Sequence, residues 1–114
     1  MAETITREQL RRAIEDEEVV IVETLGPLHY AQGHLPGAIN IPHDQVAELA
    51  PALLPERGAT IVTYCSNTAC QNSSVVQAQL IAMGYTDVRR YAEGKQDWQE
   101  AGLTLESAGP VVTR

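Results

Sequence analysis

Apolar positions in this chain alternate between short unbroken runs and helix-period stripes. The runs at 19–22, 38–41 and 59–64 are rich in Val and Ile, and a fourth at 87–91 carries Val and Tyr. Continuous runs of this kind belong to parallel strands buried on both faces. Between them, Leu10, Ala13 and Ile14 share one helix face, as do Val46, Leu49 and Ala50, and Val76, Leu80 and Met83. Thr6 with Gln9 forms a capping box, and Ile5 can staple onto Leu10, so a helix is predicted from Thr6 to about Asp16. Pro27 suits the first position of a short helix that Gly33 follows. A helix at 44–50 is closed by Pro51 and Pro55, one at 72–83 stops at Gly84, and one at 95–101, with Trp98 facing inward, stops at Gly102. Strands alternating with helices predict an α/β domain: a mostly parallel sheet flanked by helices on both faces. Residues 1–114 form this single domain, with a core at about 6–105 and a short tail at 106–114.

Composition narrows the function without naming it. The apolar fraction is 44% and the charged fraction 20%, while 15 acidic against 8 basic residues leave a net charge of −7. No basic face offers itself to nucleic acid or an anionic membrane. No apolar run approaches the ~20 residues of a membrane span. Residues 1–5 have neither a basic start nor an apolar segment, so no signal peptide is expected, and two cysteines argue against a disulfide framework. A cytoplasmic setting follows as the expectation.

The chemistry converges on Cys65. It ends the run Thr60-Ile61-Val62-Thr63-Tyr64 and opens a loop of small polar residues before the helix near Asn72. Loops at the carboxyl ends of parallel strands carry function in such sheets. Amides pointing into the loop and the positive helix terminus favour thiolate over thiol, which makes Cys65 a nucleophile.

Three segments resemble the rhodanese family of sulfurtransferases: Tyr30-Ala31-Gln32-Gly33-His34-Leu35-Pro36-Gly37-Ala38-Ile39-Asn40-Ile41-Pro42, Ile61 to Cys65 with its loop, and Met83-Gly84-Tyr85-Thr86-Asp87-Val88 running on to Gly94 and Trp98. The likeness spans residues 6–105. It implies a persulfide on Cys65, held in an anion cradle of backbone amides from Ser66, Asn67, Thr68, Ala69, Cys70 and Gln71. It also implies a loop shorter than that of the related phosphatases and arsenate reductases. The chain departs from the family pattern where Cys70 takes the place of an arginine, Thr68 of a glycine, and Glu23-Thr24-Leu25 of Asp-Val-Arg. No cationic side chain remains in the loop to hold a sulfonate, so backbone donors alone would bind thiosulfate weakly.

Sulfane sulfur would then pass through Cys65 from thiosulfate, or from a small-molecule or protein persulfide, to a thiol or other nucleophilic acceptor, small molecule or protein. Cys70 leaves two readings open: a small residue filling the arginine's place, or a second thiol that resolves the persulfide into a Cys65–Cys70 disulfide. The bridge requires Cα atoms within about 7 Å. Rival readings are a dithiol reductase built on the pair and a redox-sensing or partner-binding module without turnover. No metal or cofactor is expected, since two cysteines are too few for a closed zinc site and no histidine follows at ligand spacing. His34 is read as bracing the Gly-Pro turn, with His29 and His43 at the surface or at helix starts. Trp98 is read as core and Glu23 as a hydrogen-bonding partner for backbone near the loop. Arg89 and Arg90 point to opposite faces and are read as a solvated pair, with the alternative that one of them approaches the loop mouth and supplies some of the missing positive charge.

Overall fold

The computed structural model describes residues 3–107. Five parallel strands form one sheet in the order β1-β5-β4-β2-β3: β1 (Glu3–Thr4), β2 (Val20–Glu23), β3 (Ile39–Asn40), β4 (Thr60–Tyr64) and β5 (Asp87–Tyr91). Helices α1 (Arg7–Glu15), α2 (Pro27–Gln32), α3 (Val46–Leu53) and α4 (Asn72–Ala82) connect them, and α5 (Gly94–Glu100) follows β5. Among the described residues no helix is long and apolar enough to cross a membrane.

Strand alternation divides the interior into two layers. Val22, Ile61 and Val88 pack with Val46, Ala50, Val76 and Leu80 beneath α3 and α4. Ile21, Val62, Tyr64 and Tyr91 pack with Leu10 and Trp98 beneath α1 and α5. The α1 capping box forms as the sequence predicts, Gln9 N–H donating to Thr6 Oγ1 and Thr6 N–H to Gln9 Oε1. Trp98 is buried, its ring edge-on to Tyr91 and its indole N–H donating to the Thr104 carbonyl.

Three expectations are corrected. Helix α3 does not close at Pro51 but carries it inside and runs to Leu53. Burial of Ala50 and Leu54 and the Tyr85 hydroxyl, which donates to the carbonyls of both, outweigh the amide that proline lacks. Strand β1 was not expected at all. Two residues give no periodicity, and this edge is held by Ile5 N–H donating to Arg90 and by Gln77 Nε2, which donates to the Glu3 and Val88 carbonyls. Glu106, assigned to the tail, instead pairs with His34 through two backbone bonds of 2.8 Å, while 108–114 lie outside the described residues. His34 itself stacks on Tyr30 and meets its carbonyl at 2.8 Å, bracing the turn as read from the sequence.

Candidate active site

Cys65 sits one residue beyond β4, at the carboxyl edge of the sheet. Alternation places Thr63 and Cys65 on the α4 side, opposite to Val62 and Tyr64. The Thr63 hydroxyl donates to the Ser73 carbonyl at 3.0 Å, which locks the first turn of α4 against the strand end. The Cys65 sulfur consequently lies 3.6 Å from Ser73 Oγ, at the positive end of α4, where Gln71 caps the helix without a side-chain bond. Cys65 is 1% exposed.

The second cysteine reaches it. Cys65 and Cys70 form a disulfide, with Cα atoms 6.3 Å apart. The loop between them is a compact turn: Cys70 N–H donates to the Asn67 carbonyl at 3.1 Å and Ala69 N–H to Asn67 Oδ1 at 3.0 Å. Two of the six amides expected to face an anion are therefore spent inside the loop. Among the described residues those of Ser66, Asn67, Thr68 and Gln71 meet no acceptor.

Two groups come to the loop from outside it. On the α4 face, Arg90 lies beside Thr63 in the β4–β5 register. Its Nε–H donates to Ser73 Oγ at 3.0 Å and its terminal nitrogen to the Cys70 carbonyl at 3.4 Å. The solvated pair expected of Arg89 and Arg90 is thus half right: Arg89 faces Asp87 and Glu3 at the surface, whereas Arg90 is held by the loop. On the other face, Glu23 accepts from the Tyr64 hydroxyl and from Lys95 Nζ, each at 2.8 Å, rather than from backbone as expected. Glu23 is fully buried, and its second oxygen has no partner among the described residues. Burial, with the Glu23 charge adding to it, pushes the Tyr64 phenol far above its ordinary value.

Helix α5 presses on the loop from the solvent side. Lys95 N–H donates to the Cys65 carbonyl at 2.9 Å and Gln96 N–H to that of Ser66 at 2.8 Å. The helix is anchored by Asp97, which accepts from the Tyr91 hydroxyl and from Arg7 at 2.8 and 2.9 Å. The Tyr91 bond first, and Arg7 with it, hold the Asp97 carboxyl below the usual range against its partial burial. A depressed acid stabilises the fold above its unfolded pKa of about 3.9, and this is lost as pH falls through the lower folded value. Urea midpoints measured from about pH 6 down to about pH 2.5 should show the gap between wild type and Asp97→Asn closing with acid.

A cleft of about 320 Å³ opens beside the loop, lined by His29, Gln32, Ser66, Asn67, Lys95 and Gln96 among others. A second, of about 220 Å³, lies across Asn67 and Thr68 from Glu93 and Asp97. Cys65 lines neither, being covered by its own bonded loop. The sequence assigns no role at the site to Ser73, Gly94 or Lys95, although Gly94 lies in the matching segments, since nothing local distinguishes a serine or lysine in a first helical turn or a glycine that opens a helix.

The profile of the rhodanese-like domain family matches residues 6–101. An HTH-type transcriptional regulator of Mycobacterium tuberculosis is 36% identical over 110 residues, covering 96% of this chain and 47% of that protein. The thiosulfate sulfurtransferase PspE of Escherichia coli is 38% identical over 71 residues, 62% of this chain and 65% of that one. The chain thus spans just under half the length of the first relative and just under two thirds of the second. A human single-domain sulfurtransferase superposes with a TM-score of 0.78 at 22% identity, over 88% of this chain and 97% of that one.

Proposed function

The chain belongs to the rhodanese-like domain family, a family whose relatives here include sulfurtransferases and fit a sulfur-transfer role in general terms, and from that premise we propose that it moves sulfane sulfur through a persulfide on Cys65. The observation that carries this reading is the position of the Cys65 sulfur at the strand end, 3.6 Å from Ser73 in the first turn of α4. The loop amides without acceptors, at Ser66, Asn67, Thr68 and Gln71, supply a cradle for thiolate and persulfide anion alike.

The bonded form must first be opened by a thiol reductant, which restores the Cys65 thiolate. With thiosulfate the attack gives Cys65–S–S⁻ and sulfite: the sulfur–sulfur bond of the donor breaks, and sulfite leaves with its electron pair. A persulfide donor leaves as its thiolate instead. An acceptor nucleophile then takes the outer sulfur and regenerates Cys65 thiolate.

The Cys65–Cys70 bond favours a second route on the same site. Cys70 attacks the inner sulfur of the persulfide, so that Cys65–S–S⁻ and Cys70–SH become Cys65–S–S–Cys70 and HS⁻. Each such turnover consumes two electrons, supplied by two thiol equivalents that reopen the bridge and leave as their own disulfide.

Intact mass of the reduced chain after thiosulfate or glutathione persulfide tests both. Cys70→Ser should gain one sulfur and Cys65→Ser none. Wild type should release sulfide and lose two hydrogens on the second route. If Cys70→Ser gains no sulfur from either donor, the transfer reading fails and a binding module remains.

A further inference from the structure

We infer that Arg90 is the positioning residue of Cys65, acting through the Ser73 hydroxyl. The Arg90 Nε–H donates to Ser73 Oγ at 3.0 Å, and the same oxygen lies 3.6 Å from the Cys65 sulfur. A hydroxyl has one hydrogen. Arg90 occupies a lone pair of the Ser73 oxygen, which discourages that oxygen from accepting a proton from sulfur and leaves its hydrogen to be given to sulfur. Donation to sulfur stabilises thiolate and persulfide anion, whereas acceptance would stabilise thiol. Arg90 thereby selects the charged form of Cys65 and stands behind it as the cation that the loop lacks.

The arrangement is built into rigid parts. Ser73 is 1% exposed and fixed by Thr63, while the Arg90 backbone is fixed in register beside Thr63 and its side chain is held by Ser73 Oγ as well as by the Cys70 carbonyl, a backbone group that Cys70→Ser keeps. Among the described residues no other charge is buried on this face: Glu48 of α3 is exposed, as are His43 and Asp44 before it. Strand β4 and the first turn of α4 carry none. From β2, Glu23 lies on the opposite face and is matched by Lys95 of α5. Asp97 of α5 is matched by Arg7 of α1, and Glu93 is exposed at the outer cleft. On β5, Asp87 and Arg89 face each other on the far side, with Glu3 of β1 near them.

This inference rests on Cys65 being the reacting thiol, but its test needs no sulfur donor. The reduced chain carrying Cys70→Ser has a single thiol, whose alkylation by iodoacetamide is followed against pH. Added Arg90→Gln or Ser73→Ala should each raise the midpoint by about one pH unit, a tenfold loss of thiolate on its acid side. The two together should shift it no further than the larger single effect, because they break one path. Arg90→Lys, which keeps a donor and the charge, should recover part of the shift. Unchanged midpoints in both single variants, or shifts that add in full, would overturn the inference. Alkylation in denaturant, where all variants must coincide, separates a real shift from a damaged fold. Failure of the mass experiment with these midpoints shifted would sink the transfer reading alone.

Discussion

Gly94→Ala is expected to cost about 2–6 kcal/mol and to disorganise the Cys65 loop. Gly94 has φ +70°, where a residue with a side chain is strained by roughly 1–3 kcal/mol. The added Cβ would also lie 2.6 Å from the Cys65 carbonyl oxygen and 2.9 Å from both the Asn67 nitrogen and the Ser66 carbonyl carbon. All three contacts are backbone, with no flexible side chain to swing aside. Relief requires α5 to move off the loop, and the overpacking adds about 1–3 kcal/mol. That movement would break the bonds from Lys95 and Gln96 amides that hold the Cys65 and Ser66 carbonyls. Gly102→Ala provides the control, since Gly102 has φ +82° but nothing within 4 Å of its would-be Cβ. It should show the backbone strain alone and leave Cys65 untouched. Denaturation midpoints and Cys65 alkylation rates measure both consequences. A Gly94 variant no worse than the Gly102 variant would mean that α5 does not press on the loop.

The contrast also explains what was legible in the chain. Positions whose role is set by their neighbours in sequence could be read directly: the Thr6–Gln9 box, Pro27 at a helix start, β4 running into Cys65, and α4 beginning at Asn72. Arg90 could be read only in part: alternation says that Arg89 and Arg90 point to opposite faces, so that one of the two can approach the loop mouth. Which of them meets Cys65 depends on the β4–β5 register, with Thr63 opposite Arg90, and register between strands 20 or more residues apart leaves no local trace. Glu23 misled in the same way. A buried carboxylate at a strand end needs donors, and backbone amides are the nearest in sequence. The donors that satisfy it come from Tyr64, 41 residues on, and from Lys95 in another layer. The Cys-x4-Cys spacing admitted a disulfide without requiring one. The turn closed by Asn67, which brings the two Cα atoms to 6.3 Å, decides it.

Lys95→Met should be the most damaging removal of a single charge, at about 3 kcal/mol. Glu23 is fully buried, and Lys95 is its only cationic partner among the described residues. Taking away one member of a buried pair leaves the other charge unsolvated, a loss of about 3–5 kcal/mol for a fully dry site and less here, since the Lys95 side chain keeps 15% exposure. Tyr64 still donates to Glu23, but one hydroxyl does not replace an ammonium. The same ammonium donates to the His29 carbonyl at 3.2 Å, so the variant also releases the α2 side of the larger cleft from α5. Adding Glu23→Gln should restore most of the loss, because a neutral amide keeps an oxygen for Tyr64 and leaves no charge buried. Arg89→Met is the surface comparison: its pairs with Asp87 and Glu3 are solvated and worth about 1 kcal/mol or less. Urea denaturation of the four proteins orders them. If Lys95→Met costs no more than Arg89→Met, or if the double variant is weaker than Lys95→Met alone, the pair is not what joins β2 to α5. The Cys65 loop would then owe its α5 contact to backbone bonds only.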